Sequence, residues 1–240
     1  MPGKILITGG SGLIGMRLSE MLIDLGYEVA HLSRSPEKVS TYKTFKWDIK
    51  EGFIDDNAIT YADYIINLAG ASVASEKWTE ERKKEILNSR VDSIQLLHKC
   101  LSRAEHHVKA FISASAIGIY GDSGDQLMSE ESTYADDFLA EVCKAWENAA
   151  WQMRDLELRT VIFRVGIVLS IKGGALPQMA KPVKMMAGAP LGSGRQYMSW
   201  VHIDDLCRLF IRAIEDKQYE GVYNAVAPHP VTNKEFTKER

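Results

Sequence analysis

Short aliphatic runs alternate along the chain with longer stretches whose apolar residues recur every three or four positions, a pattern that predicts strands alternating with helices. The first run, from Lys4 to Ile7, ends in a glycine turn, and Leu13, Ile14, Leu18, Met21, Leu22 and Leu25 then give one apolar helix face that Gly26 closes. Further strands are predicted over 27–32, 44–48, 62–71, 108–115 and 160–169, with long helices over 79–103 and 138–155. Thr79, followed by Glu80 and Glu81, is the expected cap of the first of these helices. Beyond 169 the alternation breaks down: Gly173, Gly174, Pro177, Pro182, Gly188, Pro190, Gly192 and Gly194 mark an irregular region with one short helical piece. The pattern returns with a strand near 199 passing into a helix that ends about Glu215, where Asp204 or Asp205 is the expected cap. A last strand is predicted over 223–227, and a helix entry begins at Thr232.

The turn carries the first chemistry. In Gly9-Gly10-Ser11-Gly12-Leu13-Ile14-Gly15 the glycines stand directly between an aliphatic strand and a helix. One glycine permits the tight turn, one lets a pyrophosphate approach the backbone, and one lets helix and strand pack closely. The helix start then offers free N–H groups and a positive dipole end to phosphate. The second strand ends at Ser33 and Arg34, where an acid would hydrogen-bond the adenosine ribose 2′-hydroxyl of NAD. An arginine there suits a 2′-phosphate, so the expected cofactor is NADP(H), although Arg34 also reads as a solvated loop cation. Asp48, closing the third strand, either accepts the adenine amino group or caps the following turn, while Leu68, Ala69 and Gly70 end the fourth strand with room for a cofactor near the backbone. The polar residues Asn88, Ser89 and Arg90 in the middle of the long helix read as a solvated stripe, with a face toward the cofactor as the alternative. The expected fold is α/β: a Rossmann-like, doubly wound parallel sheet over residues 1–170, with a small, irregular C-terminal substrate-binding region over 171–240 in which 199–227 returns to the core.

Composition narrows the classes. The 240 residues suit one large domain, or one with a small annex, and 45% hydrophobic with 25% charged residues are those of an ordinary globule. A net charge of −3, with no basic run, gives no case for nucleic acid or an anionic membrane. The apolar runs are strand-sized, which argues against a transmembrane helix, and the immediate entry into a strand leaves no room for a signal peptide. Cys100, Cys143 and Cys207 are scattered and read as reduced thiols, which points to the cytoplasm. His106-His107 lacks partners at ligand spacing, so no metal is expected.

Several stretches together resemble the extended, epimerase-like branch of the short-chain dehydrogenase/reductase superfamily: Thr8 to Gly15, Asp48, Asn67-Leu68-Ala69-Gly70, Ser113-Ala114-Ser115-Ala116 with Tyr120-Gly121, and Ser199 to Asp205. A narrower resemblance is to a subfamily of sugar-nucleotide epimerases also labelled cell-division-inhibitor-like, carried by Asn67 to Ala71, Lys77 to Lys83, Phe138 to Glu147, Gly192 to Gln196 and Thr232 to Phe236. Such proteins continue well past the position of Phe236, so the expectation is a chain lacking a C-terminal portion. The resemblance implies a Ser, Tyr and Lys that cooperate: the lysine lowers the tyrosine pKa, the tyrosine moves a proton on the substrate oxygen, and the serine orients it. Ser115 matches the serine and Lys144 the lysine. The tyrosine belongs four residues before the lysine, where this chain has Ala140. Tyr120 and Tyr134 are the phenols left to stand in, Glu141 is a further acid, and Lys144 alone can hold the cofactor ribose. Arg195 is the candidate for an anionic substrate group, Tyr120 a second substrate contact, and Gly174 and Pro177 are expected to border the nicotinamide. The expected function is an NADP-binding oxidoreductase or epimerase acting on a small carbonyl or hydroxyl compound or a nucleotide-sugar-like substrate with non-standard proton transfer; the alternative is a non-catalytic NADPH-binding regulator or sensor. The expected partners are a small-molecule substrate and a second copy of the chain in a homodimer, and the regulator reading adds a docked partner.

Overall fold

A computed structural model of the chain describes residues 2–38, 41–184 and 192–238. β1 (Lys4–Thr8) leads through the glycine turn into α1 (Leu13–Asp24), followed by β2 (Glu28–Ser33), β3 (Lys43–Asp48), β4 (Phe53–Ile54), α2 (Asp56–Tyr61), β5 (Tyr64–Asn67) and α3 (Glu80–Leu101). Next come β6 (Ala110–Ala116), α4 (Phe138–Trp151), β7 (Arg159–Val165), β8 (Ile167–Ser170), β9 (Gly173–Gly174) and α5 (Ala175–Lys184). β10 (Tyr197–Met198), β11 (Trp200–His202), α6 (Ile203–Glu215), β12 (Gly221–Ala225), β13 (Val231–Thr232) and α7 (Asn233–Lys238) follow. Residues 185–191, and with them Gly188 and Pro190 of the irregular region, lie outside the described residues.

The central sheet has the order β12-β7-β6-β5-β1-β2-β3-β4. Every pairing in it is parallel except the antiparallel return of β4 along β3. Helices α1 and α6 pack together, as do α3 and α4. Covered in this way, the strands are buried on both faces, which explains why they read as continuous aliphatic runs. Ile5, Leu6, Ile7, Ile65, Ile66, Phe111, Ile112, Val161, Ile162 and Phe163 are all buried in one core. This is a Rossmann-like α/β fold, and the order reverses beside β1, so the ends of β1, β5 and β6 frame the crevice where such sheets bind ligands.

Five local expectations change. The run over 160–169 is two strands rather than one, broken at Gly166, where a Cβ would lie 2.7 Å from the Ser199 carbonyl oxygen. There the chain leaves the large sheet, and β8 joins β11 and β9 in a separate three-stranded sheet. Between β3 and β5, the hairpin strand β4 and the one-and-a-half-turn α2 are too short to have left a periodic signature. The helix predicted to 155 turns 3-10 at Gln152. The cap of α6 is His202, whose Nδ1 accepts from the Asp204 N–H at 3.2 Å, because the Asp204 carboxylate is held by Arg17 of α1 at 2.6 and 3.1 Å. Thr79 caps α3 through the Arg82 N–H, and Gly26 ends α1 with φ of +86°. Leu25, assigned to the buried face, is half exposed.

Candidate functional site

At the first corner of the crevice the chain has removed side chains. Gly9 has φ of +68°, and a Cβ there would sit 2.7 Å from the Leu68 carbonyl oxygen. A Cβ on Gly10 would enter the His31 ring at 2.4 Å, and one on Gly15 would meet the Gly10 Cα at 2.6 Å. The Gly12 N–H closes the turn on the Gly9 carbonyl at 3.0 Å, and α1 starts with no side-chain cap and no acid in its first turn. By contrast α2, α3, α4 and α6 are capped by Asp55, Thr79, Asp137 and His202. The first N–H groups of α1, in the Leu13-Ile14-Gly15 turn after Ser11 and Gly12, are thus left for a ligand, and a pyrophosphate fits that need. Thr8 ties the turn to the fourth-strand end by donating to Asn67 Oδ1 at 2.7 Å and accepting from the N–H groups of Leu68 and Ala69 at 3.2 Å.

Beneath the turn lies His31, 1% exposed. The Ser19 hydroxyl gives its one proton to the Gly15 carbonyl at 2.7 Å, so the contact of 2.8 Å to His31 is a donation from Nε2. Burial pushes the imidazole pKa down to about 4, which keeps the ring neutral.

Ser33 and Arg34 close β2 beside this turn. Ser33 Oγ accepts from the Ser35 N–H at 3.1 Å. Arg34 is exposed and has no hydrogen bond or ion pair among the described residues. Asp48 Oδ1 accepts from the N–H groups of Lys50 and Glu51 at 2.9 and 3.2 Å, so the turn-capping use is occupied. Gly70 is exposed at the end of the Leu68–Ala69–Gly70 strand tail.

The second corner, at the ends of β6, β7 and β12, is filled. Ser115, 3% exposed, donates to Glu147 Oε1 of α4 at 2.7 Å. Glu147 also receives Arg164 of β7 on both oxygens, Nε and Nη2 each at 2.9 Å, and this ion pair is almost wholly buried. Arg164 Nη1 donates to the Tyr120 hydroxyl at 2.8 Å, and Tyr120 passes its own proton to Asn224 Oδ1 at 2.8 Å. Nη2 reaches the Tyr134 hydroxyl at 2.8 Å. Lys144 donates to the Ala135 carbonyl at 2.5 Å, and Ala140 is fully buried. Burial raises the Tyr120 pKa, against the opposing pull of Arg164. Arg195 is exposed on a loop whose neighbours Gly194 and Gln196 bind the start of α7, and Gly174 packs against Leu13, its absent Cβ 3.0 Å from Cδ2. Among the described residues no hydrogen bond joins Arg195 to Ser115, Tyr120 or the turn.

The profile of the NAD-dependent epimerase/dehydratase family matches residues 5–225. The chain belongs to that family. Epimerase family protein YfhF of Bacillus subtilis is 36% identical over 240 residues, covering 98% of this chain and 78% of that protein. Human epimerase family protein SDR39U1, solved with NADPH, superposes with a TM-score of 0.84 at 33% identity, over 97% of this chain and 77% of that one. A nucleoside-diphosphate sugar epimerase from Corynebacterium glutamicum gives a TM-score of 0.85 at 36% identity; this chain, 99% covered, spans only 49% of it. Glu147 and Arg164 of this family member were not singled out as site residues from sequence, yet a signal existed. An arginine inside the aliphatic run Val161 to Leu169 must be paired or exposed, and the fold buries it. Among the described residues, no helix is long and apolar enough to cross a membrane, and no cluster of three or more His, Cys, Asp or Glu could hold a metal.

Proposed function

We propose that this family member binds NADP(H), with the glycine turn of residues 9–15 holding the pyrophosphate and Ser33 and Arg34 receiving the 2′-phosphate. The observation that carries this reading is the uncapped, glycine-cradled start of α1 beside an exposed arginine whose side chain has no partner among the described residues. The NADPH bound in the human relative at 33% identity supports it. Asp48 Oδ2, Leu68, Ala69 and Gly70 complete the cofactor contacts. Titrating the protein calorimetrically with NADPH and NADH tests the assignment, and Arg34→Ala should abolish the preference for NADPH.

Bound NADP(H) supplies hydride transfer. On the protein side, Lys144 has two N–H bonds left after the Ala135 carbonyl and holds the ribose hydroxyls. Ser115 keeps lone pairs with which to accept a substrate hydroxyl, its proton being committed to Glu147. Tyr120, whose hydroxyl donates to Asn224 Oδ1, is the proposed second catalytic and substrate contact, and Arg195 the contact for an anionic substrate group. Residues 171–240, apart from the 199–227 return to the core, are the proposed cover of the site, and the substrate is a small carbonyl or hydroxyl compound or a nucleotide sugar, the class named for the Corynebacterium relative. The reaction is an oxidation-reduction or epimerisation without the usual tyrosine. The reduced-thiol reading of the cysteines supports the cytoplasm as the proposed compartment, and a homodimer is the assembly to check by sedimentation.

A second reading, a cofactor-binding regulator, is favoured by one observation: Ala140 is buried where the relay tyrosine belongs, and the protons of Ser115 and Tyr120 are spent inside the protein. Turnover of any member of a panel of carbonyl compounds and nucleotide sugars with NADPH, lost in Ser115→Ala, would eliminate the regulator. A silent panel with tight NADPH binding would favour it.

A further inference from the structure

The corner at the ends of β6 and β7 holds one phenol proton that the protein does not use. Arg164 has five N–H bonds and no lone pair, and all five are taken. Nε and one bond of Nη2 go to Glu147, the two bonds of Nη1 to the Tyr120 hydroxyl and the Glu130 carbonyl, and the second bond of Nη2 to the Tyr134 hydroxyl at 2.8 Å. Both phenol oxygens are therefore acceptors, and each phenol proton points away from the guanidinium. Tyr120 donates its proton to Asn224 Oδ1. The Tyr134 hydroxyl donates to no acceptor among the described residues. Exposure divides the two rings in the same sense, Tyr120 being 7% exposed and Tyr134 44%. Accepting the fifth N–H of Arg164 gives the Tyr134 oxygen a structural use; it gives the proton none.

The phenol is fixed rather than trailing in solvent. Its neighbour Ala135 donates its N–H to the Ile119 carbonyl at 2.9 Å, and its carbonyl receives Lys144 at 2.5 Å. Gly121, with φ of +61°, passes so close that a Cβ there would lie 2.6 Å from the Ala135 Cβ. On the other side the Arg164 guanidinium lies 4.9 Å from the Tyr134 ring centroid. Arg164 is in turn the β7 partner of Ser115 in β6, and the two share Glu147 Oε1. Tyr134 is thus tied through its hydroxyl to the cation beside the serine, and through its neighbour's carbonyl to the lysine.

We propose that Tyr134 is the proton donor that replaces the tyrosine missing at Ala140, with Arg164 as its cationic neighbour in place of the lysine. This rests on the reading above of an NADP(H)-dependent enzyme in which Lys144 holds the ribose. With a carbonyl substrate, hydride from NADPH reduces the carbonyl carbon and NADPH is oxidised to NADP+. Tyr134 gives its proton to the carbonyl oxygen, whose former C=O π pair forms the new O–H bond. The phenolate left behind keeps the charge-assisted hydrogen bond from Arg164 Nη2 and regains a proton from water at its exposed edge.

The test compares wild type with Tyr134→Phe, which keeps the ring and removes the hydroxyl. NADPH oxidation is followed with diacetyl, glyoxal and 4-nitrobenzaldehyde, alongside calorimetric NADPH binding and thermal unfolding. Separately, wild type is acetylated with N-acetylimidazole, with and without saturating NADPH, and Tyr134 is read by mass spectrometry. The expected result is a fall in kcat on the order of a hundred-fold or more in Tyr134→Phe, with KM, NADPH affinity and melting temperature retained. Acetylation of Tyr134 in the free protein, blocked by NADPH, is expected with it. An unchanged kcat, a loss of kcat that follows a loss of NADPH affinity or of folding, or a Tyr134 that is never acetylated or is acetylated equally with NADPH bound makes Tyr134 a cover for Arg164 and overturns the proposal. Wild type that binds NADPH but reduces none of the three compounds would overturn the enzyme reading and the proposal with it, and wild type that binds no NADPH would overturn the cofactor reading beneath both.

Discussion

At the β1–α1 corner the chain takes side chains away, whereas at the β6–β7–β12 corner it packs them in. Gly9, Gly10 and Gly15 stand where a Cβ would overlap the Leu68 carbonyl, the His31 ring or the Gly10 backbone, and the helix behind them begins without a cap. Ser115, Tyr120, Glu147, Arg164 and Asn224 form a closed set in which nearly every donor has an acceptor from the protein. The first corner leaves its electrostatic need open for a ligand, while the second has met its own. Two regions at the same edge of one sheet thus differ in what they present: an uncapped helix start in one case, and in the other polar groups already bonded to one another.

The largest effect that would break this contrast is at the buried ion pair. Glu147→Ala leaves the Arg164 charge unpaired in the interior and should cost about 3–5 kcal/mol in urea unfolding, while replacing both residues by Leu and Met should cost less. A loss under about 1 kcal/mol would mean that the corner is open to water and not a closed network.

Acid separates the corners next. His31 is neutral under the turn, with a pKa near 4 in the folded chain against 6.5 unfolded. Above pH 6.5 neither state binds the proton; between 6.5 and 4 the unfolded chain binds it and the folded one does not; below 4 both do. Stability should therefore fall by roughly 3 kcal/mol as pH drops through that window and then level, at 1.36 kcal/mol per pKa unit. His31→Leu should remove this component of the acid slope, and an unchanged slope would show that the ring is not held neutral.

Ligand binding gives a smaller, more selective difference. Arg34→Ala should weaken NADPH by roughly 10- to 150-fold, the loss of one charge-assisted contact worth about 1.5–3 kcal/mol, and leave NADH unchanged. Equal losses for both would deny Arg34 a role in reading the 2′-phosphate. Smallest is Ser115→Ala, expected to cost about 1.5 kcal/mol of stability and to leave NADPH affinity unchanged, since its proton serves Glu147. A large loss of NADPH affinity in that variant would move the serine from wall to binding site.

How far these features were legible from sequence follows from how local their causes are. The glycine turn, the Thr79 cap and the Gly26 stop each depend on a few consecutive residues, so their spacing alone carried them. The buried pair Glu147–Arg164 depends on α4 and β7 meeting, and only the misplaced charge in an aliphatic strand hinted at it. Asp204 read as a cap because nothing nearby in sequence competes for it; its actual partner, Arg17, is 187 positions away. The break at Gly166 was hidden for a similar reason, since β8 is as aliphatic as β7 but pairs with β11. The missing tyrosine was visible at once as Ala140, yet the commitment of Ser115 and Tyr120 to internal partners appeared only with their neighbours in place.

Calorimetric titration of the unmodified protein with NADPH and with NADH tests the central claim most directly. Saturable one-to-one binding of NADPH, on the order of ten-fold or more tighter than NADH, is the expected result. Equal affinity for the two, or no binding of either, would contradict it.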